Sequence, residues 1–282
     1  MIKTPPGWGA AVITQAYQSI TNVGAHWAEG GPTEVTVRRI HISDLRWALE
    51  RGMEDFGASR TDVIFLCVIY PLLGLLLARV ASGNGMLPLL FPLASGFALV
   101  GPLAGVGLEE MSRRREQGWS TGWMDPFRVF VSPAIGSILL LGAVLIMMFL
   151  AWLVLSNVVY NMTLGPQPPA SVGSFLHDVL YTHAGRTMAV VGIGSGFVFA
   201  AIALTIGAVS FPILLDRNVS LETAVRTSAR VVAGSPVTMA VWGLIVAGSL
   251  VVGSIPLLLG LIFVLPVLGH TTWHLYRRAV PR

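Results

Sequence analysis

Six stretches of this sequence are long and apolar enough to cross a lipid bilayer, and that feature leaves few folds open. A helix needs about 20 mostly apolar residues to span the hydrocarbon core. Residues 62–80, 86–108, 133–156 and 187–214 are four such stretches. The fifth and sixth share the run 237–276, which is too long for one helix and is divided at Gly253-Ser254-Ile255-Pro256. Charged residues make up 11% of the chain, against about 25% in an ordinary soluble domain. So few charges cannot cover a soluble surface, so lipid must cover much of it. The predicted fold is an all-α polytopic membrane helix bundle, with six transmembrane helices in three hairpins.

The distribution of Lys and Arg orients these helices. Only Arg79 and Arg186 fall on the side of the Ser82-Gly83-Asn84-Gly85 turn, the 157–186 loop and the 253–256 turn; the other sixteen of eighteen lie opposite. The positive-inside rule then puts both termini of this multi-pass membrane protein in the cytoplasm. It also accounts for the basic pI of about 9.7, so no nucleic acid is expected as a partner. The N-terminus lacks the compact apolar segment of a cleavable signal peptide. Residues 1–42 read as a partly irregular cytoplasmic segment: a Pro/Gly-rich lead, then a short extended piece, Val35-Thr36-Val37-Arg38-Arg39-Ile40-His41-Ile42. Residues 43–282 form the membrane domain. Gly165-Pro166-Gln167-Pro168-Pro169 is a loop, and 174–181 is read as one or two turns in the outer interface. Trp152, Trp242 and Trp273 sit near span ends, as interfacial anchors do.

The sequence also repeats itself. Pro92, Leu93, Gly96, Val100, Pro102, Gly105, Arg113 and Arg114 recur at a constant offset of 164 as Pro256, Leu257, Gly260, Val264, Pro266, Gly269, Arg277 and Arg278. Upstream, Leu45, Ala48, Leu49, Met53 and Phe56 map at offset 176 onto Leu221, Ala224, Val225, Ala229 and Val232. Those spacings put the apolar residues on one helical face. Arg46, Glu50, Arg51 and Glu54 fall largely on the other face of the first copy. Each unit, about 43–115 and 219–279, is read as an amphipathic cytoplasmic helix followed by a transmembrane hairpin. The two units are parallel, unlike the inverted repeats of many transporters. Ser195-Gly196-Phe197 echoes Ser95-Gly96-Phe97, three residues toward a third, divergent unit.

Chemistry-bearing residues are few. Ionisable groups inside a bilayer are costly and usually functional, yet no acidic residue is expected mid-span: Arg79, Glu109, Glu110 and Asp216 are placed at helix ends. His270 and His274, at i and i+4 on the sixth helix, are the candidate metal ligands. They cannot provide both axial ligands of one haem. The plainer reading puts both at the inner interface, hydrogen-bonded to lipid phosphates or neighbouring helices. Glu109-Glu110-Met111-Ser112-Arg113-Arg114-Arg115-Glu116 reads as intrahelical ion pairs that also contact anionic headgroups. Gly101-x-x-x-Gly105 and Gly192-x-x-x-Gly196 permit close helix approach. Pro71, Pro92, Pro102, Pro212 and Pro266 kink or break their helices. Cys67, the one cysteine, excludes an intramolecular disulfide and a multi-cysteine metal site. No catalytic residue and no cofactor are assigned.

Several strings resemble an uncharacterised bacterial integral-membrane family, the domain-of-unknown-function 2189 family. They are Val37-Arg38-Arg39-Ile40, Gly96-Phe97-Ala98-Leu99-Val100-Gly101-Pro102-Leu103-Ala104, Ser112-Arg113-Arg114-Arg115-Glu116, Leu214-Leu215-Asp216-Arg217 and the segment Leu265-Pro266 through Arg277-Arg278. The resemblance runs from about residue 36 to the C-terminus. It implies an integral membrane protein and brings no established activity. Some members carry a cytochrome c oxidase label. This chain departs from an oxidase core subunit, because it lacks the intramembrane histidines that haems and copper need. The resemblance therefore implies association or assembly. The expected function is that of a non-enzymatic accessory, assembly or membrane-organising protein. Its expected partners are membrane lipids and a larger membrane complex or homo-oligomer. The alternatives are a transporter or channel for a neutral or lipid-like solute, and a metal- or haem-associated respiratory-chain protein.

Overall fold

A computed structural model of the chain describes residues 35–69, 71, 72, 74–76, 79 and 86–282. Among them the regular structure is entirely helical, in the order α1 (Ile42–Cys67), α2 (Leu90–Glu116), α3 (Ile135–Thr163), α4 (Val172–Tyr181), α5 (His183–Gly207), α6 (Ser210–Asp216), α7 (Leu221–Gly234), α8 (Pro236–Ser254) and α9 (Leu261–Ala279). Short 3-10 turns at Leu87–Leu89 and Asp125–Val131 precede α2 and α3. The Pro/Gly-rich lead before residue 35, the turn at 82–85 and residues 70, 73, 77, 78 and 80 of the 62–80 span lie outside the described residues.

Four helical stretches among the described residues are long and apolar enough to cross a membrane: Leu87–Glu116, Ile135–Thr163, His183–Asp216 and Pro236–Ser254. The sixth expected span corresponds to α9, which is not one of the four; it carries His270, His274, Arg277 and Arg278 and is buried along much of its length. The run 237–276 divides as expected. α8 stops at Ser254, and the turn before Leu261 brings Gly260 so close to Gly253 that an added Cβ would lie 2.7 Å from the Gly253 Cα. Leu257 and Leu258 adopt positive φ there (52° and 66°), a conformation that disfavours side chains with a Cβ. Pro256, Leu257 and Gly260 thus lie in a turn, whereas their counterparts Pro92, Leu93 and Gly96 lie within α2. The break between α5 and α6 falls at Ala208-Val209, where Pro212 has no N–H for the Ala208 carbonyl.

α1 packs on α9, but through a rotated face. Its buried residues include Asp44, Leu45, Ala48, Gly52, Asp55, Ser59 and Cys67; Met53 is 54% exposed, and Leu49 and Phe56 are half-buried. The small residues decide this. Ala48 and Gly52 let the backbones approach until Gly52 touches Thr271, and bulky Leu49 and Met53 are displaced to the flank. They line an open apolar cleft of about 320 Å³ toward Val241 and Ile245 of α8. In α7 the buried face contains Leu221, Ala224, Ser228 and Val231. These are the positions of Leu45, Ala48, Gly52 and Asp55 plus 176. The same offset relates two kinks: Ser59 (φ −120°, ψ 15°) bends α1, and Ser235 (φ −141°, ψ 55°) separates α7 from α8. At the α2–α9 crossing, Gly105 faces its counterpart Gly269, with a built Cβ 3.6 Å from the Gly269 Cα.

Two expectations need correction. Trp152, Trp242 and Trp273 are not interfacial anchors: they are 2, 3 and 1% exposed. Trp152 and Trp273 donate their indole N–H groups to Ser95 Oγ and Glu116 Oε2, both at 3.0 Å, which is what permits their burial. Each small-residue motif uses one of its two glycines. Gly105 meets Gly269 and Gly196 meets Trp152, while a Cβ on Gly101 or Gly192 would touch nothing. α4 forms as a ten-residue helix at the expected place, capped by Ser171. The extended piece, Val35–His41, is a strap without regular structure. It is held by Arg38 N–H to the Ala279 carbonyl (2.8 Å), Ile40 N–H to Ser235 Oγ (2.9 Å) and Thr238 Oγ1 to the Ile40 carbonyl (3.0 Å).

Candidate functional site

The densest polar cluster lies where α1, α2 and α9 meet, and Asp55 is its centre. The Ser112 hydroxyl donates to Asp55 Oδ2 at 2.5 Å, His274 Nε2 donates to the same oxygen at 2.8 Å, and Arg115 Nη1 donates to Oδ1 at 2.9 Å. His270 Nδ1 stands 2.8 Å from Ser112 Oγ. Since the single hydroxyl proton of Ser112 points to Asp55, that nitrogen is the donor. The other imidazole nitrogen, Nε2, is buried and has no hydrogen-bond partner. Ser112 and His270 are each 1% exposed. Burial opposes ionisation of Asp55, but the hydrogen bonds from His274 and Ser112 and the imidazole charges outweigh it. They hold the carboxyl below its ordinary range.

A second carboxylate closes the same helix pair. Asp44, 3% exposed, takes Arg278 Nε at 2.6 Å and Nη2 at 2.5 Å, His41 N–H at 2.9 Å and Arg38 at 3.4 Å. Burial again opposes ionisation, and these donors lower its pKa overall. Trp47 sits between the Arg278 guanidinium (4.9 Å) and that of Arg51 (5.7 Å), with His274 edge-on at 5.8 Å. Replacing Arg278 by Met keeps the stem but strips Asp44 of its two shortest bonds. A loss of about 2 kcal/mol is expected, read as a lower unfolding midpoint in detergent.

The helix-end string of α2 divides among separate partners. Glu110 pairs with Arg113 through two bonds (2.7 and 2.9 Å), the expected intrahelical pair. Glu116 instead accepts from Trp273, Arg277 (3.1 Å) and Arg282 (2.9 Å). Asp216 accepts from the Tyr276 hydroxyl at 2.7 Å and lies 3.4 Å from Arg277. Glu109 departs from the expectation. α2 continues to Glu116, so Glu109 is not at the helix end; it is 1% exposed and its Oε2 has no hydrogen-bond partner.

His270 and His274 are therefore brought together around Asp55, each with a ring nitrogen engaged by the cluster. Among the described residues no three His, Cys, Asp or Glu side chains are arranged to hold a metal ion. Ser112, His270 and Asp55 are also not in nucleophile order. In a hydrolytic triad the imidazole stands between serine and carboxylate; here the serine stands between the other two. The arrangement is a closed polar clasp that fixes three helices. Sequence reasoning missed Asp55, Ser112 and Asp44. The signal for Asp55 was present: it lies ten residues after Leu45, on the Leu45–Ala48 face.

The family model described as "Predicted integral membrane protein (DUF2189)" matches residues 90–216. The match opens at the first residue of α2 and closes at the last residue of α6. No curated protein and no solved structure matches the chain. The chain is an integral membrane protein with several apolar helices, and its residues 90–216, from α2 through α6, match the DUF2189 family of predicted integral membrane proteins.

Proposed function

We propose that the protein is a non-enzymatic accessory, assembly or membrane-organising component of the bacterial inner membrane, built from six spans with both termini cytoplasmic. The carrying observation is how the ionisable side chains near the α1–α2–α9 junction are used. Asp44, Asp55, Glu116 and Asp216 are all engaged by side chains of α9, and the serine and the His270 imidazole of the clasp are shut away from solvent. Such groups stiffen a scaffold and leave no nucleophile facing a substrate. Recurrence of the buried face and of the serine kink at offset 176 supports the parallel repeat. Purification from mild detergent followed by native mass spectrometry tests the role. A stoichiometric partner or a defined homo-oligomer is expected, and a strictly solitary chain would sink it. For topology, an alkaline phosphatase fused after Asn84 is expected to be active and one fused after Glu116 inactive; the reverse would invert the orientation.

A second reading, a holder or carrier of a lipid-like solute, draws on the cleft lined by Ile42, Leu45, Leu49, Met53, Val241 and Ile245. Filling it with Met53→Trp is expected to displace co-purifying lipid under that reading and to leave lipid content unchanged under the first.

A further inference from the structure

Residues 117–134 connect two apolar helices, α2 and α3, so this loop sits at a membrane boundary. It is held firmly from beneath. The 3-10 turn Asp125–Val131 packs under α2, where a Cβ on Gly107 would lie 2.8 Å from the Pro126 Cβ, and Val129 is buried. Thr121 Oγ1 is 3.3 Å from Ser59 Oγ at the kink of α1. With its inner side fixed, the loop turns large apolar side chains outward: Trp119, Trp123, Met124 and Phe130 are 53, 52, 46 and 45% exposed.

The charge beside them is unbalanced. Asp125 Oδ1 is shared by two guanidiniums, Arg128 Nε at 2.7 Å and Arg114 Nε at 3.4 Å, while Oδ2 takes the Gly122 N–H at 2.8 Å. One carboxylate against two arginines leaves a surplus positive charge, and Arg114 Nε has no hydrogen bond of its own. Arg114 also lies 4.8 Å over the Trp119 ring. The other basic groups of this α2 terminus are engaged: Arg113 by Glu110 and Arg115 by Asp55. Exposed tryptophans beside surplus guanidinium, continuous with lipid-facing helices, match the headgroup layer of a bilayer.

We propose that residues 119–131 form a binding patch for an anionic phospholipid. Arg128 holds the headgroup phosphate, with the charge of the largely buried Arg114 behind it, and Trp119, Trp123, Met124 and Phe130 lie among the first acyl carbons. The proposal needs only that α2 and α3 cross the bilayer, so it stands apart from the accessory role and from the orientation.

The test uses the full-length chain in mild detergent, titrated with phosphatidylglycerol or phosphatidylcholine and read by native mass spectrometry. Phosphatidylglycerol is expected to be retained in preference to phosphatidylcholine. Arg128→Gln alters a side chain that is 57% exposed. It removes about 1 kcal/mol of attraction, a roughly fivefold weaker retention of the anionic lipid. Trp123→Ala is expected to weaken retention of both lipids. Equal retention of the two lipids, or an Arg128→Gln chain that binds as wild type, overturns the proposal. So does competition by millimolar inorganic phosphate, which would mark a soluble-anion site. A change of oligomeric state in these variants without loss of lipid overturns it too, and makes the patch a protein interface. Arg128→Lys, which keeps the charge, is expected to restore most of the retention.

Discussion

Alanine at Gly52 is expected to cost about 3 kcal/mol and to loosen α1 from α9, because no room exists there for even one methyl group. A Cβ built on Gly52 lies 2.2 Å from Thr271 Oγ1, 2.8 Å from Thr271 N and 3.0 Å from its Cα. Were the neighbour only a flexible side-chain tip, a rotamer change would absorb the clash. Two of the three atoms are backbone, and Thr271 is fully buried with its hydroxyl bonded to the Val267 carbonyl at 2.6 Å. The helices must separate, and overpacking of a rigid contact costs 1–3 kcal/mol or more. Gly57 is the internal control, since a Cβ there meets nothing within 4 Å. Gly57→Ala should stabilise α1 by about 0.5–1 kcal/mol, the ordinary helical preference for alanine. Thr271→Ala combined with Gly52→Ala should recover part of the loss, because it removes the 2.2 Å contact and leaves the 2.8 Å one. Unfolding midpoints in detergent decide the matter; equal behaviour of the Gly52 and Gly57 variants would refute the close contact.

The second large effect is expected at Asp55. Alanine there removes the acceptor for Ser112, His274 and Arg115 together, leaving the buried Ser112 hydroxyl and the largely buried His274 without it. Removing one member of a buried charged network costs about 3–5 kcal/mol. At the offset of 176 residues, α7 carries Val231, which is fully buried, and under the proposed repeat an apolar residue occupies this place. Asp55→Val combined with Ser112→Ala should therefore be less damaging than the two single losses summed, since orphaned groups are removed along with their partner. The pH dependence has a definite sign. The folded Asp55 carboxyl is held below its unfolded value, so its contribution is complete above the ordinary carboxylate value of about 3.9 and is lost as pH falls through the lower folded value. The gap in stability between wild type and Asp55→Ala should narrow as pH falls below the ordinary carboxylate value. A gap that widens in acid would mean the carboxyl is protonated in the folded protein.

The membrane class and most helix positions were legible because hydropathy depends on local composition. The runs at 133–156, 187–214 and 237–276 each hold at least one long apolar helix, and the Gly253–Pro256 break is where α8 ends. The clasp was harder to read. His270 and His274 stood out by their spacing, but Asp55 and Ser112, which engage them, are 219 and 158 residues away from those imidazoles. Periodicity alone cannot report such pairings. The packed face of α1 was misplaced because apolar bulk was used to choose it. The closest contact is made by Ala48 and Gly52, and the bulky residues were turned aside. The tryptophans were misassigned for a related reason: position along a span does not reveal whether a protein acceptor awaits the indole N–H.

The dominance of α9 in this network has a consequence for the order in which the protein can be made. Asp44 and Asp55 emerge early from the ribosome, yet Arg278 and His274 lie 234 and 219 residues later. Until α9 is synthesised, Asp44 lacks Arg278 and Asp55 lacks His274, and the two carboxylates are left with Arg38, Ser112 and Arg115. α9, translated long after the carboxylates it engages, is thus the helix that closes this contact, and α1 must wait for it.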